Sequence, residues 1–432
     1  MPVDISKWRL EPRDLKLKYN MDDFDFKSTQ DLKPLKGIIG QERAAEALNF
    51  GLKMKAKGYN IFVAGISGTG RSSYTYSMVS KVAQTKKNNK DYVYVYNFKN
   101  PDEPKAISFQ AGEAKHFQKD MDTVVDKLYE EIPKVFTSRE YELRNNEIAQ
   151  KYERMGQNLI EELNEFAKDR GFFFQQGNQG LLTIPLKEDG SLMSDEEYNG
   201  LSEDEFARLR EKSQDLNKEV TEYMNRMRNL EQKLREKIIE LDRKTGERVI
   251  SFFFDDIVEK YSANEKVILH INDLKEDMVE HINKFKGQQK ASANPFSIQK
   301  EDPKKFFERY KVNLFIDNSD RIGAPIVNET NPTYYNLTGM MEYQNELGFL
   351  TTSFMDIKPG ALHKANGGFL ILNVKDLFSH QFAWEGLKRS LKTNKVTIET
   401  LNKQYGYIVT ATLKPEPIDM DLKVILIGDY YT

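Results

Sequence analysis

A glycine-rich stretch at residues 65–72 carries the residues best suited to chemistry in this sequence. It reads GISGTGRS and fits the phosphate-loop pattern G-x-x-x-x-G-K-[ST] except at the lysine, where Arg71 stands. Glycines let backbone N–H groups turn toward a phosphate, because a β-carbon would block the approach. In such loops the cation neutralises phosphate charge and the following hydroxyl, here Ser72, holds Mg²⁺; arginine keeps the charge but presents it as a planar fork. We therefore predict a phosphate-binding loop formed by Gly65, Gly68, Gly70, Arg71 and Ser72, with a ligand-free glycine turn as the alternative.

Two polar residues follow apolar runs farther along the chain, where further groups of a nucleotide site would lie. Asn373 follows the run 369–372, at the position where phosphate-loop enzymes place a metal-binding aspartate, and Val374 stands where a catalytic glutamate often follows. An amide holds Mg²⁺ less firmly than a carboxylate, because it carries a dipole and no charge. Asp429 ends the run 422–429, where a sensor of the last phosphate would project. We predict that Asn373 and Asp429 serve the site; the alternatives are a strand-end asparagine and a turn aspartate.

The composition excludes several other kinds of chemistry. The chain of 432 residues has no cysteine, which rules out disulfides, cysteine-ligated zinc, iron–sulfur clusters and thiol catalysis. Its net charge of -3 gives no overall attraction to nucleic acid or anionic lipid. The amino terminus lacks the apolar core of a signal peptide, and no apolar run approaches the roughly 18 residues that span a bilayer. We therefore expect a cytoplasmic protein with no membrane partner and no strong nucleic-acid signal.

Strand-like and helix-like runs alternate on both sides of a long helical stretch. The pattern of apolar residues predicts short buried strands at residues 60–65 and 92–98. It also predicts strands at residues 311–318, 367–374, 405–413 and 422–429. Such alternation is typical of an α/β fold with a parallel sheet. We divide the chain into an amino-terminal segment (1–36), a first part of the α/β core (37–136), a helical insertion (137–305) and a second part of the core (306–432).

The insertion contains a sustained heptad pattern. Steps of three and four residues from Phe206 to Leu241 meet apolar residues at nine of eleven positions, which is typical of a helix in a coiled coil. Residues 139–171 offer a partner helix, and the segment between the two predicts a small hairpin with turns at Gly177 and Gly190. Residues 286–303 have the composition of a linker. We therefore predict that an antiparallel coiled-coil arm interrupts the α/β core.

Several long motifs carry a resemblance to a known family. The segments IIGQERAAEALNFGLKMKAKGYNIFVAGISGTGR, NETNPTYYNLTGMMEYQNELGFLTTSFMDIKPGALHKANGGFLILNVKDL and WEGLKRSLKTNKVTIE resemble the AAA+ part of Lon-related ATP-dependent proteases, in the bacterial branch with a helical insertion. The resemblance spans nearly all of the chain from Leu10 to Asp429. It implies a P-loop AAA+ core in a homo-oligomeric ring, usually of six subunits, that uses ATP and Mg²⁺ to thread unfolded protein substrates into a proteolytic chamber.

The resemblance also implies roles for individual residues. Phosphate and Mg²⁺ would be held by Gly65, Gly68, Gly70, Arg71, Ser72 and Ser73. Ile38 and Ile39 would line the adenine pocket. Asn373 and Asp429 would take the second-acid and sensor positions. Phe349 and Leu350 would grip the substrate in the ring pore, with core packing as the alternative.

The sequence departs from the family in two respects. Asn373 replaces the aspartate that follows the second apolar strand, and the serine–lysine protease domain is not among the residues of this chain. We therefore expect the ATPase portion of a Lon-like protease, with peptidase residues outside this chain. The alternative is a degenerate nucleotide-binding scaffold that hydrolyses little or no ATP and uses its coiled-coil arm for assembly or for binding a partner.

Overall fold

A computed structural model describes the chain over residues 9–13, 15–16, 19–33, 40–56, 58–86, 89–177, 180–187, 189–286, 303–346, 349–400 and 413–431. The predicted strand at 405–413 lies outside the described residues except for its last position, and the predicted linker 286–303 lies outside them except for its two ends.

Helices and strands alternate along most of the described chain. The helices are α1 (Glu42–Lys53), α2 (Arg71–Ala83), α3 (Glu113–Phe136), α4 (Arg139–Lys168), α5 (Asp195–Asn199), α6 (Glu203–Lys260), α7 (Glu265–Glu280), α8 (Ile282–Phe285), α9 (Pro303–Glu308), α10 (Tyr334–Thr338), α11 (Ala361–Lys364), α12 (Val374–Ser379) and α13 (Ala383–Thr393). The strands are β1 (Ile61–Ala64), β2 (Lys90–Val95), β3 (Lys105–Gln110), β4 (Phe172–Gly177), β5 (Gly180–Pro185), β6 (Val312–Ile316), β7 (Ile326–Glu329), β8 (Met340–Met341), β9 (Gln344–Glu346), β10 (Phe349–Thr351), β11 (Ile357–Lys358), β12 (Phe369–Asn373), β13 (Lys395–Val396), β14 (Ile418–Asp419) and β15 (Lys423–Gly428).

A four-stranded parallel sheet joins the two ends of the chain. Its order is β1-β15-β12-β7, so the strand before the glycine-rich stretch pairs with the last described strand. Buried side chains of α1 and α2 pack on one face of this sheet, and those of α10 to α13 pack on the other. The predicted α/β fold with a parallel sheet is therefore confirmed, and both halves of the core contribute to it.

A second sheet differs from the prediction. Residues 92–98 were expected in the parallel sheet, but β2 pairs antiparallel with β3 on one side and with β6 on the other. The connection from β2 to β3 has no helix, and a parallel pairing needs a crossover of a dozen or more residues. The sequence gives no comparable signal for β3, because KAISFQ is short and only partly apolar.

The helical insertion is built on one very long helix. α6 has 58 residues, which corresponds to roughly 87 Å at about 1.5 Å per residue. α4 packs along it, and the hairpin of β4 and β5 closes an apolar cluster with both helices that includes Phe174, Leu216 and Tyr223. Ser202 and Glu205 form a capping box at the start of α6. The coiled coil as such stays a prediction.

The other end of α6 is part of a larger apolar core. Ile250, Phe254 and Ile257 of this helix are buried with side chains of α3, α7 and the antiparallel sheet. The insertion and the antiparallel sheet therefore share one hydrophobic core.

A buried ion pair fixes α4, α6 and the residue after α8 to one another. Lys286 pairs with the carboxylate of Asp242, and the Tyr141 hydroxyl donates to the same carboxylate at 2.6 Å. The side chains of Lys286 and Asp242 are only 13% and 9% exposed. The ammonium of Lys286 also lies 4.3 Å from the ring centroid of Phe136. Both charges are thus compensated within the core.

Candidate functional site

The glycine-rich stretch forms a loop between β1 and α2 at the carboxyl edge of the parallel sheet. Gly68 and Gly70 adopt left-handed conformations, with φ of 86° and 79°. Residues with a β-carbon rarely adopt such φ angles, which explains why glycine stands at both positions. The Thr69 hydroxyl donates to the Ile66 carbonyl at 2.8 Å and closes the loop. Gly70 is the N-cap of α2, so unpaired N–H groups of the first helical turn lie beside the loop.

Arg71 connects the loop to the neighbouring strand. Its guanidinium donates to the Gly428 carbonyl at the end of β15. Its Cδ atom would lie 3.2 Å from a β-carbon at Gly65, so a larger residue there would push against the arginine. A guanidinium has five N–H donors, and it can therefore serve a phosphate and a carbonyl together.

A cavity of about 620 Å³ lies next to the loop. Its walls come from α1, β1, the loop and α2, and they include the aromatic side chains of Tyr59, Tyr74 and Tyr430. The hydroxyl of Thr75 belongs to this lining, is fully buried, and has no hydrogen-bond partner among the described residues. The cavity has the size of a small-molecule site with a polar group available for a ligand. Ile38 and Ile39 lie outside the described residues, so their place in an adenine pocket stays a prediction.

Asn373 is the last residue of β12, and its side chain is already engaged. The amide oxygen accepts a hydrogen bond from the backbone N–H of Lys375 at 2.9 Å, which makes Asn373 the N-cap of α12. Val374 is buried, and Asp376 lies in the first turn of α12 rather than on the strand. No carboxylate therefore follows β12 directly.

Asp429 follows β15 directly, beside the glycine-rich loop. β15 is the neighbour of β1, and Gly428 pairs with Ala64. The Asp429 carboxylate accepts from the backbone N–H of Tyr431 at 2.8 Å. Neighbouring strands lie about 4.8 Å apart, so the loop, Asp429 and Asn373 all lie within roughly 10 Å along one edge of the sheet. The structure thus brings these predicted residues together.

The residues that could hold Mg²⁺ are few. Ser72 and Ser73 are exposed in the first turn of α2, next to the loop. Among the described residues there is no group of three or more histidine, aspartate or glutamate side chains suited to a metal ion. Mg²⁺ keeps several waters and commonly binds through one or two protein groups and substrate phosphates, so the Ser72 hydroxyl fits such a site. The ion would neutralise phosphate charge there.

Glu329 is a residue at this edge that the sequence reading missed. It ends β7 and pairs with Leu372, the residue before Asn373. Its carboxylate accepts from the backbone N–H of Asn331 at 2.8 Å, which turns it toward the carboxyl end of the strand. The signal in the sequence is weak, because β7 has only four residues and two of them are polar.

Phe349 and Leu350 lie on the hairpin of β9 and β10, which is not part of the parallel sheet. Leu350 pairs with Asn345 and is 54% exposed. The side chain of Phe349 lies outside the described part of the chain. Contact of this pair with a substrate stays a prediction.

Another cavity, of about 850 Å³, is unrelated to the loop. It lies between β3, α7 and residues 413–417, and its lining includes Lys105, Lys266 and Glu416. Lys266 pairs with Glu416 at 2.7 Å, and Lys105 pairs with Asp273 at 3.1 Å. These charges compensate one another, so we place the functional site at the smaller cavity.

A parallel sheet with a glycine-rich loop between its first strand and the following helix is typical of a P-loop module. Comparison with protein families agrees: residues 322–432 match the LonB-like AAA domain, and residues 91–124 match the Lon-like LonC helical domain. These two segments are thus similar to the AAA domain and the helical domain of Lon-like proteins. The first match covers Glu329, Asn373 and Asp429, and the glycine-rich loop lies outside both. A comparison with curated proteins gave no match.

The described helices include none with the length and apolar character that crossing a lipid bilayer requires.

Proposed function

We propose that this chain is the ATP-binding AAA+ module of a Lon-like ATP-dependent serine protease. The observation that carries the proposal is the loop at the carboxyl edge of the parallel sheet, with left-handed glycines at its turn and a cavity of about 620 Å³ beside it. A nucleotide needs both features: backbone N–H groups for its phosphates and a partly apolar space for its base.

The predicted residues of the loop and of the strand ends have separate roles in this proposal. The loop and the start of α2 bind the phosphates, Arg71 supplies positive charge, and the Ser72 hydroxyl holds Mg²⁺. Asp429 senses the last phosphate. The amide group of Asn373 interacts with the nucleotide through its N–H donors, because its oxygen already caps α12.

The remaining parts of the proposal concern the assembly. The chain acts in the cytoplasm as a homo-oligomeric ring, usually of six subunits, that threads protein substrates toward a proteolytic chamber. Phe349 and Leu350 grip the substrate; the exposed position of Leu350 on a hairpin suits such a contact. The helical arm recruits substrates or stabilises the ring.

Calorimetric titration of the chain with ATP and Mg²⁺ tests nucleotide binding. The diagnostic variant is Gly68→Val, and Gly58→Val is its matched control. Both glycines have left-handed φ angles, 86° and 77°, and a β-carbon on either one meets nothing within 4 Å. The two substitutions therefore introduce the same backbone strain, but only the first places a side chain in the loop.

We expect the Gly68→Val variant to lose ATP binding and the Gly58→Val variant to keep it. Equal affinity in the two variants, or an unmodified chain that binds neither ATP nor ADP, would contradict the proposal.

A second candidate function is a scaffold that binds nucleotide without turnover. The observation that favours it is Asn373, an amide that caps a helix where a metal-binding carboxylate is expected. The discriminating measurement is phosphate release by the unmodified chain and by Asn373→Asp. A scaffold gives no release from the unmodified chain although it binds ATP. Equal turnover in both proteins would show that the asparagine does not limit hydrolysis.

A further inference from the structure

We infer that Glu329 is the general base for ATP hydrolysis in this module, an assignment that rests on the proposed nucleotide site. A phosphate-loop ATPase needs a group that orients and deprotonates the attacking water. Val374 cannot do this, and Asn373 cannot accept a proton at neutral pH. Glu329 is the carboxylate on the strand next to these two residues.

The register of the sheet gives Glu329 its position. Leu372 pairs with Glu329, so the glutamate lies about 4.8 Å from β12 and level with the end of that strand. Its partly buried side chain starts on the same face as Leu372, but the bond from the Asn331 N–H holds the carboxylate at the end of the strand. That bond uses one carboxylate oxygen, and the other has no partner among the described residues, so it can accept a hydrogen bond from a water molecule.

The order of the strands explains why the water would lie near Glu329. The loop after β1 holds the phosphates at one side of the edge, and β15, β12 and β7 follow in that order. Attacking and leaving oxygens are in line at the transferred phosphorus, so the water lies on the side away from the rest of the nucleotide. With the phosphate chain extending from β1 toward β12, this side is the one where β7 ends.

The reaction is ordinary hydrolysis. The water oxygen forms a bond to the γ-phosphorus, and the bond from that phosphorus to the bridging oxygen breaks. The bridging oxygen keeps the electron pair as part of ADP. The water proton passes to the Glu329 carboxylate, and inorganic phosphate is the second product.

Two other carboxylates, those of Asp429 and Asp376, follow the neighbouring strands β15 and β12 in the sequence. Asp429 follows the strand next to the loop, so it would lie beside the phosphates rather than beyond the last one. Asp376 lies on α12 and not at the strand end. It therefore offers a matched control, because Asp376→Asn is the same change from carboxylate to amide.

The test compares Glu329→Gln with Asp376→Asn in the full chain. Glutamine retains an oxygen that can accept from Asn331, so the fold around β7 is preserved. Two quantities are measured: the Kd of a non-hydrolysable ATP analogue by calorimetry, and the rate of phosphate release from ATP. General-base catalysis contributes typically 100-fold or more. We expect Glu329→Gln to lower phosphate release by about 100-fold with a Kd within about twofold of the unmodified chain.

We expect Asp376→Asn to leave both quantities within about twofold. Phosphate release by Glu329→Gln above about a tenth of the unmodified rate would overturn the assignment, as would a chain that binds the analogue but releases no phosphate. In both cases the proposed nucleotide site stands. An unmodified chain that fails to bind the analogue refutes the nucleotide site and the assignment together.

Discussion

Replacing the buried His270 of α7 with phenylalanine should remove part of the acid sensitivity of the fold. The ring is fully buried, and neither ring nitrogen has a hydrogen-bond partner among the described residues. It stacks on Phe98 at 5.7 Å between ring centroids. Burial lowers the pKa of His270 from 6.5 to about 3; nearby Lys105 lowers it further and Asp273 opposes the shift. The folded protein therefore keeps this imidazole neutral at mildly acidic pH.

The sign and size of the effect follow from proton linkage. Below pH 6.5 the unfolded chain binds a proton at His270 that the folded chain does not bind. The contribution of the neutral imidazole to the free energy of unfolding is therefore fully present above pH 6.5 and is lost as the pH falls toward 3. Each pH unit in this window costs about 1.4 kcal/mol. Between neutral pH and pH 5 the loss from His270 is therefore about 2 kcal/mol. Phenylalanine binds no proton in either state.

Urea unfolding followed by circular dichroism at pH 8 and pH 5 measures this term. Other groups titrate equally in the unmodified chain and in His270→Phe, so their contribution cancels in the comparison. Removing the unpartnered ring nitrogens should raise the free energy of unfolding, and the larger volume of phenylalanine should lower it. Both effects are the same at pH 8 and pH 5, so they cancel when the two free energies are subtracted. Between pH 8 and pH 5 we expect the free energy of unfolding to fall by about 2 kcal/mol less in His270→Phe than in the unmodified chain. The control is His116→Phe, at an exposed position of α3. This variant should lose as much stability between pH 8 and pH 5 as the unmodified chain does. Equal losses in the unmodified chain and His270→Phe would refute the reasoning.

Two further predictions concern packing. Lys286→Met leaves the Asp242 carboxylate buried without its ion pair and should lower the free energy of unfolding by about 3–5 kcal/mol. Adding Asp242→Leu to this variant should recover most of the lost stability. Denaturant unfolding of the single and the double variant measures both changes. Gly368→Ala would place a β-carbon against the Pro325 carbonyl oxygen, so it should lower the melting temperature sharply. Gly156→Ala is the contrasting variant: in α4 its β-carbon meets Met227 at an ordinary 3.5 Å, and it should raise stability by up to about 1 kcal/mol. Similar melting temperatures for the two alanine variants would contradict this account.

The part of the site that could be predicted from sequence is the part with local causes. The glycines of the loop are required by backbone angles that other residues rarely adopt, and an apolar run before them marks β1. Asn373 and Asp429 were found because each ends a short apolar run. The capping role of Asn373 also had a local signal, since asparagine before a helix is a common N-cap.

The remaining features depend on residues far apart in the chain. Arg71 and Gly428 meet across 357 positions, and no local pattern indicates such a contact. Glu329 gains its position only from the register between β7 and β12. The antiparallel sheet was missed for a related reason: a short buried strand has the same apolar pattern in either orientation, and β3 lacks a strong pattern of its own.

The 58-residue helix α6 is continuous from the apolar cluster beside the hairpin to the core shared with the antiparallel sheet. A force applied to the hairpin by a bound polypeptide would therefore act at the end of a stiff rod rather than dissipate in a hinge. The rod is attached to the rest of the fold by the core around Ile250 and Phe254 and by the junction where Asp242, Lys286 and Tyr141 meet.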